Sequence, residues 1–382
     1  MKLNLNLFFQ FFLFLLTLIY FSQGSFYPSG SILAKLALLL IMVISSFYLI
    51  KLMLLKFGKN IFFYTWTFFL FVNVLGFLFG GKFNDIYYSQ FRNILSAILP
   101  FFPFYYFSIK GDVSRKNLLC FFMGLIVVGV VNFYSNRNNL LAESLDENVV
   151  SNVAYFFVAL LPFIFLWGKN KVLSIISSLL IIFFIIQGAK RGALFTGLVG
   201  MLVFIYYQIT LMNPKERFKN LIYIILGFSS IVLFSYYFYI SNEYLVSRVT
   251  EISENSSNRD VIYKNLWNNW YNSENLINIV FGFGFVSSII YSGNGFLAHN
   301  DWLELLTNFG LLGVFSYLAV ILSLVFFIVF SNSQKEIKII LSCILLMWVL
   351  KTLFSMYYTV STTMISSMLI GYLLGISNRK KY

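Results

Sequence analysis

Along most of this chain apolar residues do not alternate with polar ones. They come in unbroken runs of roughly twenty, long enough as helices to cross a hydrocarbon layer about 30 Å thick, parted by short polar clusters. In lipid the backbone must satisfy its own hydrogen bonds, so each run reads as a helix. A membrane β-barrel would alternate in segments of about ten, and no such pattern occurs. The runs predict about twelve spans: 5–22, 31–50, 61–80, 90–109, 118–136, 149–168, 172–188, 192–211, 220–240, 303–330, 339–356 and 359–376. The segment 303–330 is longer than one crossing needs, so it starts outside the bilayer or tilts strongly. Residues 1–22 resemble a signal peptide in place, but the run is long and no small-residue cleavage site follows, so it reads as the first span. The expected fold is therefore an all-α, polytopic membrane protein forming one membrane domain. Residues 1–240 hold nine spans, 241–302 a large outer loop with short helices, and 303–382 the last three spans.

Composition agrees: 59% of residues are hydrophobic, 20% aromatic and 11% charged, against about 25% charged in soluble domains. The net charge of +13 could suggest nucleic acid, but the cations sit in short clusters between runs, as in cytoplasmic loops. With the N-terminus inside, the inner segments hold 17 of 27 Lys and Arg and 3 of 14 Asp and Glu. That asymmetry predicts a membrane protein with both termini cytoplasmic and 241–302 outside. Cys120 and Cys343 lie inside apolar runs, which argues against a disulfide or a metal site. No nucleotide-binding glycine loop appears inside, and no internal repeat divides the chain.

Lys35 and Lys351 lie in apolar surroundings near outer helix ends. Either they snorkel to the interface or they add positive charge to an outward-facing site. Among the outer segments, 137–148 carries Arg137, Glu143, Asp146 and Glu147, and 241–302 carries Arg248, Arg259 and Lys264. From Arg259 to Tyr271 apolar residues recur at helical spacing, and Trp267, Trp270 and Tyr271 suit an amphipathic helix at headgroup level.

Two stretches could carry chemistry. Lys190-Arg191 sits in a tight outer turn, against the charge rule. It is an interfacial anchor or a site for a lipid-borne phosphate, which Arg binds bidentately. His299, the single histidine, precedes the span at 303 beside Asn300, Asp301 and Glu304. The Asp301-x-x-Glu304 spacing resembles a capping box, while an imidazole titrates near working pH and can serve as a base toward a hydroxyl. Gly282-x-Gly284 lacks the strand–helix context of a dinucleotide loop and reads as loop-shaping. Asn255-Ser-Ser is a weak glycosylation match. Outside the membrane no carboxylate cluster suited to Mg²⁺ appears, and that compartment lacks a usual supply of nucleotide-activated substrates, so a group transfer there needs a substrate already activated and membrane-bound.

His299-Asn300, nine residues and Gly310-x-x-Gly313, with Gly282-x-Gly284, Arg259-x-x-x-Tyr263…Trp267 and Lys190-Arg191-Gly192, resemble the pattern of the O-antigen ligase and O-antigen polymerase superfamily over roughly 190–313. The family pattern has a small polar residue where this chain has Lys190, so Arg191 carries that part of the resemblance. The resemblance implies a metal-independent, cofactor-free, inverting glycosyltransferase that uses undecaprenyl-diphosphate-linked oligosaccharide. His299, Arg191 and Arg259 would be catalytic, and Lys190, Arg248, Asn300 and Glu304 would bind substrate. Implied partners are the lipid-linked oligosaccharide, a glycan acceptor, membrane lipid and a chain-length regulator protein, not nucleic acid. The expected activity is polymerisation in O-antigen or capsule biosynthesis. Alternatives are a ligase acting on lipid A–core and a non-enzymatic transporter of lipid-linked sugars, the latter predicting mid-membrane charges and repeat symmetry.

Overall fold

The computed structural model describes residues 5–55, 59–80, 84–143, 150–168, 170–210 and 259–379, with the single positions 222, 229, 233 and 237. Most of the expected span 220–240, together with Arg248 and Asn255, lies outside the described residues. The rest is all helical, apart from one isolated bridge between Gln23 and Tyr27. In order the helices are α1 Leu5–Phe21, α2 Ile32–Leu54, α3 Ile61–Phe79, α4 Asp85–Ile98, α5 Phe101–Lys110, α6 Arg115–Glu143 and α7 Ala154–Leu160, the last continuing as a 3₁₀ turn over Leu161–Trp167. Then come α8 Lys171–Gln187, α9 Arg191–Thr210, α10 Arg259–Tyr271, α11 Leu276–Phe281, α12 Ser288–Tyr291, α13 Asp301–Phe330, α14 Lys335–Phe354 and α15 Thr363–Arg379.

Many runs are apolar on every side, so polar caps mark where helices begin. Ser31, Asn60, Asn84 and Asn170 each accept a backbone N–H three residues on, satisfying one of the orphan donors of a first turn. Five helices (α2, α3, α9, α13 and the Arg115–Asn139 stretch of α6) are long and apolar enough to cross a membrane. Their outward faces carry large apolar side chains, including Phe71, Val127, Leu198 and Phe315, all at least half exposed. Apolar surface on this scale is compatible with a membrane-embedded protein.

The expected single span 90–109 is two helices. Pro100 has no N–H to continue the α4 ladder, so the chain breaks there and restarts as α5. Helix α5 is wholly apolar apart from its end and packs along α15 through Gly371-x-x-x-Gly375. A Cβ at Gly371 would overlap the Phe101 carbonyl, and one at Gly375 would come within 2.5 Å of Ser108 Cβ. Small residues thus let the two backbones touch, as in helix pairs within lipid.

Polar contacts collect at the two ends of the bundle. At one end Arg115 of α6 pairs with Glu336 of α14 at 2.7 Å, and Tyr207 of α9 donates to the same carboxylate at 2.6 Å. Nearby, the Asn6 amide donates to Asp112 Oδ2 at 2.8 Å, and a Cβ at Gly111 would meet the Arg379 guanidinium. Residues near both chain ends therefore meet the same turn, Gly111–Asp112. The other end gathers the last turn of α6, the start of α7, the α8–α9 turn and the segment before α13.

Candidate functional site

Helix α13 is not one straight rod. Gly310 stands at φ 60°, ψ −150° within it, a conformation essentially restricted to glycine. A straight helix would hold Asp301 and Tyr317 about 24 Å apart, yet the Tyr317 hydroxyl donates to Asp301 Oδ2 at 2.7 Å. Residues 301–309 therefore fold back on 311–330, and the Trp302 and Tyr317 rings meet edge to face at 5.5 Å. This resolves the excess length of the expected span 303–330. The break frees backbone carbonyls, and the preceding loop takes them up: Phe283 N–H donates to Thr307 O at 2.8 Å and Gly284 N–H to Asn308 O at 3.2 Å. A Cβ at Gly282 would lie 2.5 Å from the Asn308 carbonyl carbon, and one at Gly310 2.5 Å from the Ile279 carbonyl oxygen. Gly282 and Gly310 are two halves of one backbone joint.

His299 is held from both sides. On one side Ala298 N–H donates to Glu304 Oε2 at 3.0 Å. On the other, Asn300 is extended (φ −147°, ψ 117°) and its Oδ1 accepts from Trp302 and Leu303 N–H at 3.0 and 3.2 Å. The cap is thus Asn300, one residue earlier than the Asp301-x-x-Glu304 reading, because a cap must precede the first helical residue. Asp301 is buried and instead accepts from Tyr357 N–H at 3.0 and 3.1 Å. Glu304 is also buried, and accepts from Ser288 Oγ and from Asn308 Nδ2 at 3.0 Å as well as from Ala298. Its carboxylate holds the loop before His299.

Clamped between these, His299 takes φ 51°. The other non-glycine residues with positive φ among those described are Ala189 at 49° and Val286 at 60°. One precedes Lys190 directly, and the other lies in the loop that docks α13. Left-handed backbone at such residues costs on the order of 1–3 kcal/mol each and tends to gather at functional sites.

Charges from two distant segments act at the His299 ring. Its side chain is exposed, but desolvation by the surrounding protein, then the charges of Arg259 and Lys190, hold its pKa below the ordinary 6.5. Arg259 opens α10. One turn later Tyr263 shares a hydrogen bond with the Asn300 side chain, and burial raises its phenol pKa against the opposing effect of Arg259. Lys190 and Arg191 leave the α8–α9 turn, which is pinned to the start of α7: Ser151 N–H donates to Gly188 O at 3.0 Å, and a Cβ at Gly188 would sit 2.6 Å from Ala154 Cβ. Arg191 Nε is buried and finds no hydrogen-bond acceptor among the described residues. Arg137 Nη1 reaches Gln187 Oε1 at 3.4 Å beside this turn.

Lys351 is 5% exposed and does not snorkel. Its ammonium lies 5.1 Å over the Tyr155 ring and 5.6 Å over Tyr357, and donates to Thr362 Oγ1 at 3.4 Å. Tyr155 is also within reach of the Arg259 charge, so one phenol ring faces both cations. Lys35 stays exposed. The charges of Arg259 and Lys190 thus both bear on His299, Tyr263 of α10 bonds to Asn300, and Arg191 is adjacent to Lys190 in the chain. Arg248 lies outside the described residues. Tyr155 went unnoticed in the sequence because nothing sets it apart from 24 other tyrosines, whereas Tyr263 stood one helical turn from Arg259. A cavity of about 430 Å³ lined by Lys59, Tyr64 and Phe330 lies at the opposite end of the bundle, away from all of these. Among the described residues no three His, Cys, Asp or Glu side chains come together as a metal-binding group.

Neither a scan against protein-family models nor a search of curated proteins finds a match to this chain. Its functional reading rests on its own residues.

Proposed function

We propose that the chain is a bacterial inner-membrane polysaccharide polymerase. It would transfer a glycan from a lipid diphosphate to a glycan acceptor at the outer face, within a fold of about twelve spans whose large loop 241–302 lies outside. The observation that carries this reading is the clamped, left-handed His299, held between Glu304 and Asn300, on which the charges of two distant cations, Arg259 and Lys190, act.

The chemistry follows from those groups. The acceptor oxygen bonds to the anomeric carbon on the face opposite the leaving group, so the centre inverts. The bond from that carbon to the phosphate oxygen breaks, and the diphosphate leaves with the electron pair. Arg259, Lys190 and Arg191 stabilise the charge that develops there. The acceptor hydroxyl loses its proton to His299, which desolvation, then the same cations, keep neutral near neutral pH.

Full-length protein in liposomes, given a lipid-linked repeat unit alone, is expected to form a ladder of products. Strict dependence on added lipid A–core would replace this reading by the ligase. Unchanged products from both His299→Ala and Arg191→Ala would end the enzyme reading.

A further inference from the structure

Helix α10 carries Arg259, Tyr263, Trp267 and Tyr271 at successive steps of four residues. On a helix, side chains four apart stand one above the other, so these four form a single ridge, about 18 Å long from the helical rise. The ridge starts at the candidate site, where Arg259 acts on His299 and Tyr263 bonds to Asn300.

Other faces of the helix hold it to its neighbours. Ile262 and Leu266 are buried in a cluster with Ala298. Asn265 and Asn269 donate to the carbonyls of Ser292 and Tyr291. Trp270 donates its Nε1–H to Ile279 O at 3.2 Å and so holds α11. Trp267 and Tyr271 serve none of these contacts. They are 48% and 67% exposed, and their rings run nearly parallel, with centroids 6.2 Å apart and planes 11° apart. Lys264, Asn268 and Asn272 flank them, all exposed.

We infer that the outer half of this ridge, Trp267 and Tyr271, is the docking track for the acceptor glycan, an inference that rests on the transferase reading above. A sugar ring presents a C–H face and a rim of hydroxyls. An exposed aromatic face matches the first, and amides and an ammonium around it match the second. Trp and Tyr also suit a membrane headgroup level, but the side chains around these two rings are an ammonium and two amides, while the exposed apolar side chains Leu276, Ile277, Val280 and Phe281 gather on α11. The acceptor is favoured over the lipid-linked donor because the ridge enters the site through Tyr263 and Asn300, next to the base.

The test uses full-length protein in lipid nanodiscs. The probe is the lipid-free oligosaccharide repeat released by mild acid from the polysaccharide of the source strain. Trp267→Ala and Tyr271→Ala are expected to weaken its binding in saturation-transfer NMR by about three- to ten-fold each. They should raise the acceptor KM to match while leaving kcat within about two-fold. Trp267→Phe should keep most of the affinity, and Ile290→Ala, an exposed position off the ridge, all of it. Unchanged affinity in both alanine variants overturns the inference. So does quenching of the Trp267 contribution to fluorescence by brominated lipid together with unchanged sugar affinity, which would make the ridge a membrane anchor. A wild-type protein that binds the probe through Trp267 but transfers nothing from a lipid-linked donor would sink the transferase reading and leave the track standing.

Discussion

Tyr317 donates its hydroxyl to Asp301 although the two lie sixteen positions apart in one helical segment. Trp348 Nε1 in turn donates to the Tyr317 oxygen at 2.5 Å, and the Tyr357 N–H completes the set on the carboxylate. This chain joins α13, α14 and the turn before α15, and it fixes the residue two places after His299. Removing the carboxylate strands several buried donors, so Asp301→Ala should cost roughly 3–5 kcal/mol. Tyr317→Phe loses the bond to Asp301 and the one from Trp348 Nε1 but leaves the carboxylate its Tyr357 donor, and should cost roughly 1–3 kcal/mol. Thermal unfolding in detergent would check the order. A smaller loss for Asp301→Ala than for Tyr317→Phe would contradict it.

The glycine joint makes a sharper contrast. Gly310→Ala and Gly282→Ala each drive a Cβ into backbone, and Gly310 also needs its unusual φ and ψ. Both variants should fail to yield monodisperse protein. Gly295 also has positive φ, but open space around it. There alanine should cost only about 1 kcal/mol and leave size-exclusion behaviour unchanged.

The proposed base sets a pH dependence with a definite sign. His299 must be neutral to accept a proton, so transfer should fall as pH drops through its pKa, which lies below 6.5. A cation nearby disfavours the imidazolium. Lys190→Met should therefore move the acid limb of kcat upward, by a fraction of a unit to about one unit. A pH–rate profile with no shift, or a downward one, would remove Lys190 from the electrostatics of the site.

The ion pair at the far end separates stability from transfer. Glu336→Ala leaves the Arg115 guanidinium and the Tyr207 hydroxyl without that acceptor. Arg115 keeps its bonds to the carbonyls of Phe165 and Leu166, and the pair is partly exposed. A loss of roughly 1–2 kcal/mol is expected, seen as a lower unfolding temperature. The acceptor KM should stay within about two-fold, as nothing in this cluster touches the His299 end.

Much of the helix layout was legible because the runs are long and the breaks polar. The expected spans 5–22 and 61–80 differ from α1 and α3 by one residue at one end, and 172–188 and 192–211 from α8 and α9 by one residue at each end. The breaks inside runs were harder. Pro100 divides 90–109, and Gly310 divides 303–330, where an apolar run gives no sign of reversal. Residues 359–362 precede α15 instead of opening it, because Asp301 and Thr363 engage the turn at Tyr357. His299 and Arg259 stood out as rare side chains in an apolar chain, but their meeting did not, since it depends on the fold-back of 301–309. Lys351 illustrates the same limit. Periodicity puts it near a helix end, and only the packing of Tyr155 and Tyr357 decides that it turns inward.

The fold-back at Gly310 also bears on the order in which the protein can be built. Asp301 takes its backbone donor from Tyr357, fifty-six residues downstream, so when the ribosome has released His299 the strut that orients it does not yet exist. Segments fold in the order they emerge, N-terminal first, and here the imidazole must wait for α14 and the turn beyond it. A chain cut after Phe330 would contain Lys190, Arg191, Arg259 and His299 and still have no site.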